Sequence, residues 1–215
     1  MVYRIARGGT RLHVYTEETE YLVDAVIFAA PTFLGEYVIE GVPRAQGFQY
    51  SPWLTANLTL DRMPRESGFE IAWDNVIYDS PALGYVNATH MNLATHRERS
   101  VWTFYWSLAE YAPAEARRLL LAKDWNYWRE AILNDLERAH PDIRQCVTRI
   151  DVMRLGHAMV RPAVGFVFSE QRERWTKPFG NVFFANSDLS GFSIFEEAQY
   201  RGVTAAQKAM RSLGA

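Results

Sequence analysis

The sequence predicts a mixed fold class, in which an α/β part with a partial parallel sheet is joined to an α+β part with a mixed sheet and helices. Two segments, 24–31 and 180–186, each contain a continuous apolar run and are typical of strands buried on both faces of a sheet. The second run leads through a short polar loop into a segment with helical spacing. Between the two runs, strand-like alternation gives way to helical spacing near Pro113, which indicates a second set of elements.

The composition is that of a globular protein and excludes several other classes. Of the 215 residues, 48% are hydrophobic and 22% are charged, which excludes bulk disorder and collagen-like structure. The net charge of -2 gives no electrostatic reason to expect nucleic acid or an anionic membrane as a partner. The longest clean apolar run, 25–30, is too short to span a bilayer, and no N-terminal signal pattern is present. Cys146 is the single cysteine, so no internal disulfide is expected.

The N-terminal part is expected to form short strands followed by a buried strand. Apolar residues alternate in two stretches, with turns at Gly8 and Gly9 and again at 17–20. The run 24–31 then begins at a charged residue and ends at Pro31, as a buried strand of a helix-covered sheet does.

The middle part is predicted to contain strands first and helices second. Strands are expected at 54–60, 69–71 and 101–106, and a further strand, which contains Cys146, is expected at 145–153. An irregular loop followed by a short strand is expected at 155–168, and a solvated loop at 171–177. One helix is expected from Pro113 to Lys123, and Asp124 caps a second that ends near Ala139.

The C-terminal part predicts a strand, a polar loop and a capped helix in immediate succession. The strand at 180–186 is followed by a loop at 187–192, and Ser193 with Glu196 forms a capping-box pattern. Small residues then recur along the helix at Ala198, Gly202, Ala205, Ala206 and Ala209. This order is how an α/β sheet presents a helix N-terminus to a ligand at the carboxyl end of a strand.

This C-terminal part resembles the signature of the flavin-containing amine oxidase family, which includes protoporphyrinogen oxidases and phytoene desaturase-like enzymes. The matching residues are Gly180, Phe184, Ala185, Asp188, Gly191, Glu197, Ala198, Gly202, Ala205 and Ala206. The N-terminal part is similar to the family's return to the nucleotide-binding domain at Val2, Asp24, Val26, Ala29 and Pro31. Stretches at 50–53, 73–75, 83–85 and 156–158 resemble a bacterial oxidoreductase subgroup of the family.

The resemblance implies FAD as cofactor and divides the chain between two roles. Residues 1–44 and 178–215 would form a partial, Rossmann-like FAD-binding domain, and residues 45–177 a substrate-binding domain. Asp188 would contact the ribityl chain of the flavin, although Asn186 and Ser187 separate it from Ala185, where the family has a contiguous motif. The remaining contacts implied are Ser193, Ile194 and Phe195 near the pyrimidine end of the ring, and the backbone of Val2 at the adenine.

The family's Gly-x-Gly-x-x-Gly fingerprint, which holds the pyrophosphate, does not occur in these residues. The chain therefore looks like the C-terminal portion of a larger FAD-dependent oxidoreductase that oxidises a small organic substrate by hydride transfer, and it is expected to be inactive alone. Two alternatives remain open: a non-catalytic binding or interaction domain, and one half of a split flavoenzyme. In each case we expect a second copy or the missing N-terminal half to cover the apolar edges of the two buried strands.

The aromatic residues supply candidates for a substrate pocket. Trp53, Trp73, Tyr85 and His157 are the candidate lining residues, with core packing as the competing interpretation for each ring and an ordinary structural role for the histidine. Further aromatic candidates are Tyr78, Trp102 and Trp106. The spacing of His90 and His96 fits no metal site, so no metal is expected, and no catalytic residue is assigned. For Asp188 the competing interpretation is an ordinary Asx turn before the helix.

Overall fold

The computed structural model describes residues 1–65, 68–88 and 98–214. The strands are β1 (Val2–Gly8), β2 (Arg11–Thr16), β3 (Glu20–Val23), β4 (Val26–Phe28), β5 (Tyr50–Leu60), β6 (Asp74–Asn75), β7 (Gly84–Asn87), β8 (Ser100–Trp106), β9 (Val147–Val160) and β10 (Val182–Phe184). The helices are α1 (Thr32–Val38), α2 (Pro113–Ala122), α3 (Trp125–Glu137), α4 (Ile143–Cys146), α5 (Glu170–Trp175) and α6 (Phe195–Ser212), and a 3-10 turn spans Ser187–Ser190.

The chain folds as two compact units. The terminal unit combines Met1–Gln49 with Met159–Ala215, and the middle unit is Tyr50–Ala158. The boundaries of these units differ from the predicted ones, because residues 159–177 belong to the same unit as the chain termini. The assignment of one part to the cofactor and the other to the substrate stays a prediction.

A parallel pair of strands lies at the centre of the terminal unit. β4 and β10 pair in register from Val26 with Val182 to Phe28 with Phe184, as the two apolar runs predict. Phe183 packs against Ala205 and Ala209 of α6, whereas Val182 and Phe184 belong to a second cluster with Trp175. Successive side chains of a strand point to opposite faces. β10 is buried on both faces, as predicted, whereas in β4 Phe28 is buried and Ile27, on the opposite face, is exposed, so the prediction of burial on both faces is wrong for β4.

An antiparallel meander of β1, β2 and β3 completes the terminal unit. Its turns fall where the sequence predicts them, and its buried side chains, Ile5 and Leu12, join the cluster that contains Phe28 and Trp175. Among the small α6 residues, Ala205 and Ala209 lie at the contact with β10, whereas a Cβ added at Gly202 would meet nothing within 4 Å.

The middle unit is a five-stranded sheet in the order β6-β7-β8-β5-β9, covered on one face by helices. β5 and β8 pair antiparallel from Leu54 with Trp106 to Leu60 with Ser100. The inward side chains of these strands pack with those of α2 and α3 in one cluster, which includes Leu54, Leu58, Trp102, Leu120, Trp128 and Ile132. The predicted helix starts at Pro113 and after Asp124 are confirmed.

Four elements of the sequence prediction are wrong. Residues 69–71 are irregular and not a strand, and Cys146 ends helix α4 and does not lie in a strand. β9 continues to Val160 in place of the loop predicted from 155, and residues 161–168 contain no strand. The charged run at 171–177 is largely helix α5, capped by the Ser169 hydroxyl and anchored by buried Trp175.

No helix in the part of the chain that the structure describes combines the length and apolar character needed to cross a membrane.

Candidate functional site

The carboxyl ends of β4 and β10 are tied together by polar side chains of the segment after β10. The Asn186 side-chain amide donates to the Ala30 carbonyl over 2.7 Å, and the Thr32 hydroxyl donates to Asn186 Oδ1 over 3.3 Å. The backbone N–H of Thr32 donates to Asp188 Oδ2 over 2.9 Å, and the Asp188 side chain is buried. Parallel strands end at the same edge, so these bonds fix the loop at the edge where α/β sheets bind ligands.

The 3-10 turn that contains Asp188 is held from two sides. It ends at Gly191 with a φ of 84°, a left-handed conformation that favours glycine. The Arg201 side chain on α6 donates through Nε to Ser190 Oγ over 2.8 Å, and Arg172 on α5 donates to the Leu189 carbonyl. Burial lowers the pKa of Arg201 from its ordinary value. The turn is therefore a fixed platform in front of α6.

The predicted capping box at the start of α6 is wrong. The helix begins after Ile194, which offers no side-chain cap, and the Ser193 hydroxyl accepts instead from the backbone N–H of Val160 over 3.0 Å. Glu196 and Glu197 in the first turn favour the positive end of the helix dipole. In the described part of the chain, the first helical N–H groups thus have no side-chain cap, and such groups are suited to acceptor atoms of a ligand.

Large apolar side chains are exposed around this helix start. Phe195 is 74% exposed, and Phe192 and Ile194 are also exposed. Val164 and Phe168 are exposed in the segment whose Phe166 and Val167 lie against Gly191. An uncapped helix end beside apolar surface suits a planar ring with polar atoms on its edge.

The other cofactor contact implied by the resemblance lies in the meander. Val2 begins β1, pairs with Thr16 and is exposed. Its backbone role at an adenine stays a prediction, as do the flavin contacts of Asp188, Ser193, Ile194 and Phe195. For Ser193 the hydroxyl already accepts from the Val160 N–H, so its O–H donor and its backbone remain for such a role.

In the middle unit, Trp53 lies on the sheet face opposite the helices. Its ring stacks on Tyr105, with ring centroids 6.3 Å apart and planes 10° apart. The Tyr105 hydroxyl donates to Asp74 Oδ1 over 2.6 Å. Burial, and then the hydrogen bond and negative charge of Asp74, raise the pKa of Tyr105 to about 12.

Tyr105 and Asp74 were missed by sequence reasoning. The signal for Tyr105 was present, because β8 alternates and puts Tyr105 on the same face as Thr103, across from Thr55 of β5. Asp74 had no such signal, since the two-residue strand β6 is too short to show a period.

The other predicted pocket residues have different surroundings. Tyr85 is buried: its ring stacks on Trp102 at 4.3 Å and its hydroxyl lies 2.6 Å from His140 Nε2. Trp73 is exposed, and its carbonyl accepts from the Asn87 N–H. Full burial of Trp102 confirms core packing for that ring.

His157 lies near the N-terminal end of β5. Its ring centroid is 6.1 Å from that of Tyr50. Although His157 is exposed, partial desolvation and then the charge of Arg117 lower its pKa. The imidazole is therefore kept neutral to lower pH than an isolated histidine.

In the described ranges 1–65, 68–88 and 98–214, no group of three or more His, Cys, Asp or Glu side chains is placed to hold a metal ion. His90 and His96 lie outside these ranges.

The sequence and the fold of this chain can be compared with those of known proteins. No protein-family model and no curated protein matches the sequence. The solved cyclohexylamine oxidase from Brevibacterium oxydans IH-35A matches with a TM-score of 0.71 at 11% identity, over 100% of this chain and 49% of that one.

Two further solved structures agree with that match. A putrescine oxidase, solved with bound putrescine, matches with a TM-score of 0.66 at 16% identity, over 96% of this chain and 47% of that one. A protein assigned as a protoporphyrinogen oxidase, from Exiguobacterium sp. 255-15, gives 0.67 at 12% identity, over 98% of this chain and 46% of that one. The chain thus spans about half the length of these structures. The predicted fold class is confirmed, and the 215 residues have the fold of amine oxidase-type enzymes over that half.

Proposed function

We propose that these residues are the C-terminal portion of an FAD-dependent, amine oxidase-like oxidoreductase that oxidises a small organic substrate. The portion is proposed to be inactive alone, because it carries no pyrophosphate-binding fingerprint. The fold and the half-length match to oxidases support this proposal. Fold likeness alone does not fix a reaction, so the argument rests on the site.

The observation that carries the proposal is the uncapped start of α6 behind a fixed turn. The Ser193 hydroxyl is bonded to Val160, so the first amides of α6 have no side-chain cap in the described chain. Exposed Phe195 and Ile194 flank these amides with apolar surface. Such a cradle fits an isoalloxazine, which has a flat body and acceptor atoms along one edge.

A flavin bound there would supply the acceptor for a hydride from the substrate. The backbone amides at the start of α6 would orient the ring and favour negative charge on its edge. The buried Asp188 carboxylate already fixes Thr32, so it would position the turn as well as accept from a ribityl hydroxyl. In the middle unit, Trp53 and Tyr105 would offer a stacked aromatic wall to the substrate.

The test uses FMN, which keeps the flavin ring and ribityl phosphate but has no adenosine half. FMN added to the labelled full chain at about millimolar concentration should shift the backbone amide signals of Phe195, Glu196 and Glu197, since the affinity expected of a partial site is weak. Adenosine at equal concentration is the control and should leave these three signals in place. Unchanged signals with FMN, or equal shifts with adenosine, would reject the flavin site.

A second measurement addresses the proposal that the portion is incomplete. Titration with FAD, followed by flavin fluorescence, should give a dissociation constant weaker than about micromolar, because the missing pyrophosphate contacts would cost several kcal/mol. Tight binding, or amine oxidation by the chain alone, would contradict incompleteness.

A further inference from the structure

A cavity lies in the middle unit, and Tyr78 and Tyr85 of the predicted aromatic candidates are among the residues that line it. Its volume is about 470 Å³, and it opens between the segment around β6 and the C-terminal end of α3. Phe69, Ile71, Ile77, Tyr78, Arg138 and His140 are among its lining residues. The volume falls within the range of sites for small organic ligands.

The floor of the cavity is a packed aromatic group. Tyr85 stacks on Trp102, and the His140 ring lies edge-on to Trp102 at a centroid distance of 4.9 Å. The Tyr85 hydroxyl and His140 Nε2 are 2.6 Å apart, and all three side chains are buried. Their packing and hydrogen bond hold the floor in place before any ligand arrives.

The wall is also fixed. The Arg138 guanidinium donates to the Asp79 carbonyl over 3.2 Å and to Asp135 Oδ1 over 3.1 Å. Asp135 Oδ2 accepts from the Ser80 hydroxyl over 2.7 Å. These bonds fasten the segment after β6 to the end of α3, so the cavity is held open by its own frame.

Large apolar side chains at the rim of the cavity are exposed to solvent. Phe69 is 99% exposed and Tyr78 is 86% exposed, and exposed Val76 lies between them in the lining. Single exposed apolar residues are common, but several around one concave site indicate a binding surface.

The charges around the cavity favour a cation. Arg138 forms an ion pair with Asp135, and Glu70 adds an exposed carboxylate to the described lining. The C-terminal end of α3 adds the negative pole of a helix dipole. Aromatic faces at Phe69 and Tyr78 attract cations as well. We propose that this cavity is a binding site for a small organic ammonium ion with an apolar body, distinct from the flavin site.

The test compares three ligands of matched shape and different charge. Phenethylammonium, phenethyl alcohol and phenylacetate are titrated into the full chain, without flavin, by saturation-transfer NMR or calorimetry. The ammonium ion should bind most tightly and phenylacetate most weakly, and raising NaCl from about 0.02 M to about 0.5 M should reduce the difference. Because no flavin is present, failure here leaves the proposed function untouched.

Two variants locate the binding. Glu70→Gln should weaken phenethylammonium by up to about fivefold and leave phenethyl alcohol unchanged, as expected for one exposed charge pair. Glu115→Gln, an exposed carboxylate of α2 outside the cavity, is the matched control and should change neither. Phe69→Ala should weaken both ligands about twofold to fivefold. Absence of saturable binding, tighter binding of phenylacetate, or equal effects of the two glutamate variants would overturn the proposal.

Discussion

Asp188 shows how a residue singled out for a ligand also has a structural task. Its buried carboxylate accepts from the Thr32 N–H, across the ends of two parallel strands. The competing interpretation as an ordinary Asx turn before the helix does not describe this long-range bond, whose partners are 156 positions apart. Sequence alone could predict that Asp188 lies at a strand end, but not that Thr32 is its partner, because the contact depends on the parallel pairing of β4 with β10.

Removing this carboxylate should destabilise the terminal unit. Asp188→Ala leaves a buried Thr32 N–H without its acceptor, at a cost of about 1–3 kcal/mol, whereas Asp188→Asn keeps an acceptor oxygen and should cost less. Hydrogen exchange at the Thr32 amide measures the loss directly. Glu17→Ala, in an exposed turn, is the control. Exchange at Thr32 as slow in Asp188→Ala as in the unchanged chain would contradict the bond.

Tyr105 should titrate late and make stability depend on alkaline pH. Its pKa is raised from 10.0 to about 12 by burial and by Asp74. The folded state therefore holds the phenol proton more tightly than the unfolded state, so this stabilisation is complete below pH 10.0 and is lost as pH rises toward about 12. Absorbance titration of tyrosinate should show a late phase that Tyr105→Phe removes and Asp74→Asn moves to lower pH. A late phase that persists in Tyr105→Phe would assign it to another residue.

At the scale of elements, the start of α6 has the sequence pattern of a capping box, but its serine makes a different hydrogen bond in the structure. Ser193 and Glu196 match a capping box, yet the serine hydroxyl serves Val160 at the end of β9. Local patterns record which bonds are available, and tertiary neighbours decide which one forms.

Two substitutions distinguish these uses of Ser193. Ser193→Ala should destabilise the chain by about 1–3 kcal/mol, because the partly buried Val160 N–H loses its acceptor. Glu196→Gln should change stability by less than about 0.5 kcal/mol, since no capping bond is lost. Urea unfolding followed by circular dichroism measures both. Equal losses of unfolding free energy from the two substitutions would support the capping box and contradict the hydrogen bond from Val160 to Ser193.

The middle unit offers a matched pair of helix starts. Asp124 caps α3 by accepting from the Tyr127 N–H over 2.9 Å, whereas Ala112 precedes α2 and has no side chain that can cap it. Asp124→Ala should cost about 1 kcal/mol, and Ala112→Asp should add stability of the same order. Tryptophan fluorescence during urea unfolding is the measurement, because six of the seven tryptophans lie in this unit. A loss of stability in Ala112→Asp would show that this helix start cannot accept a cap.

Other elements show where local patterns were sufficient and where they were not. Periodicity and a recognisable start residue, Pro113 for α2 and the capping Asp124 for α3, predicted both helices closely. β9 extends past Gly156 because it pairs with β5, and this pairing could not be predicted from the sequence of β9 alone. The helix α5 was not recognised in the sequence because its charged residues resemble a solvated loop. Ser169 as a cap and Trp175 as a buried anchor were the signals that could have predicted it. At the candidate site, the strand-turn-helix order was predictable, whereas the contacts of Ser193 and Tyr105 depended on distant chain segments.

At the scale of the whole molecule, the parallel sheet is small for the role proposed for it. β4 and β10 form a sheet of two strands in the described chain, although parallel sheets are normally larger and covered on both faces. The matching oxidases are about twice as long as this chain. Ile27 in β4 is 46% exposed, which leaves apolar surface beside an open strand edge. We therefore propose that a second copy or a complementary N-terminal half covers this sheet.

Without a complementary half, the chain should associate with itself through the open sheet. Sedimentation velocity and solution scattering at about micromolar concentration should show a dimer or larger species, since exposed strand edges with apolar flanks pair readily. Ile27→Lys places a charge beside that edge and should shift the chain toward monomer. Leu121→Lys, an exposed apolar residue of α2 in the middle unit, should leave the association unchanged. The unchanged chain behaving as a single monomeric species would contradict the proposal. Loss of association in both variants would place the contact elsewhere than β4.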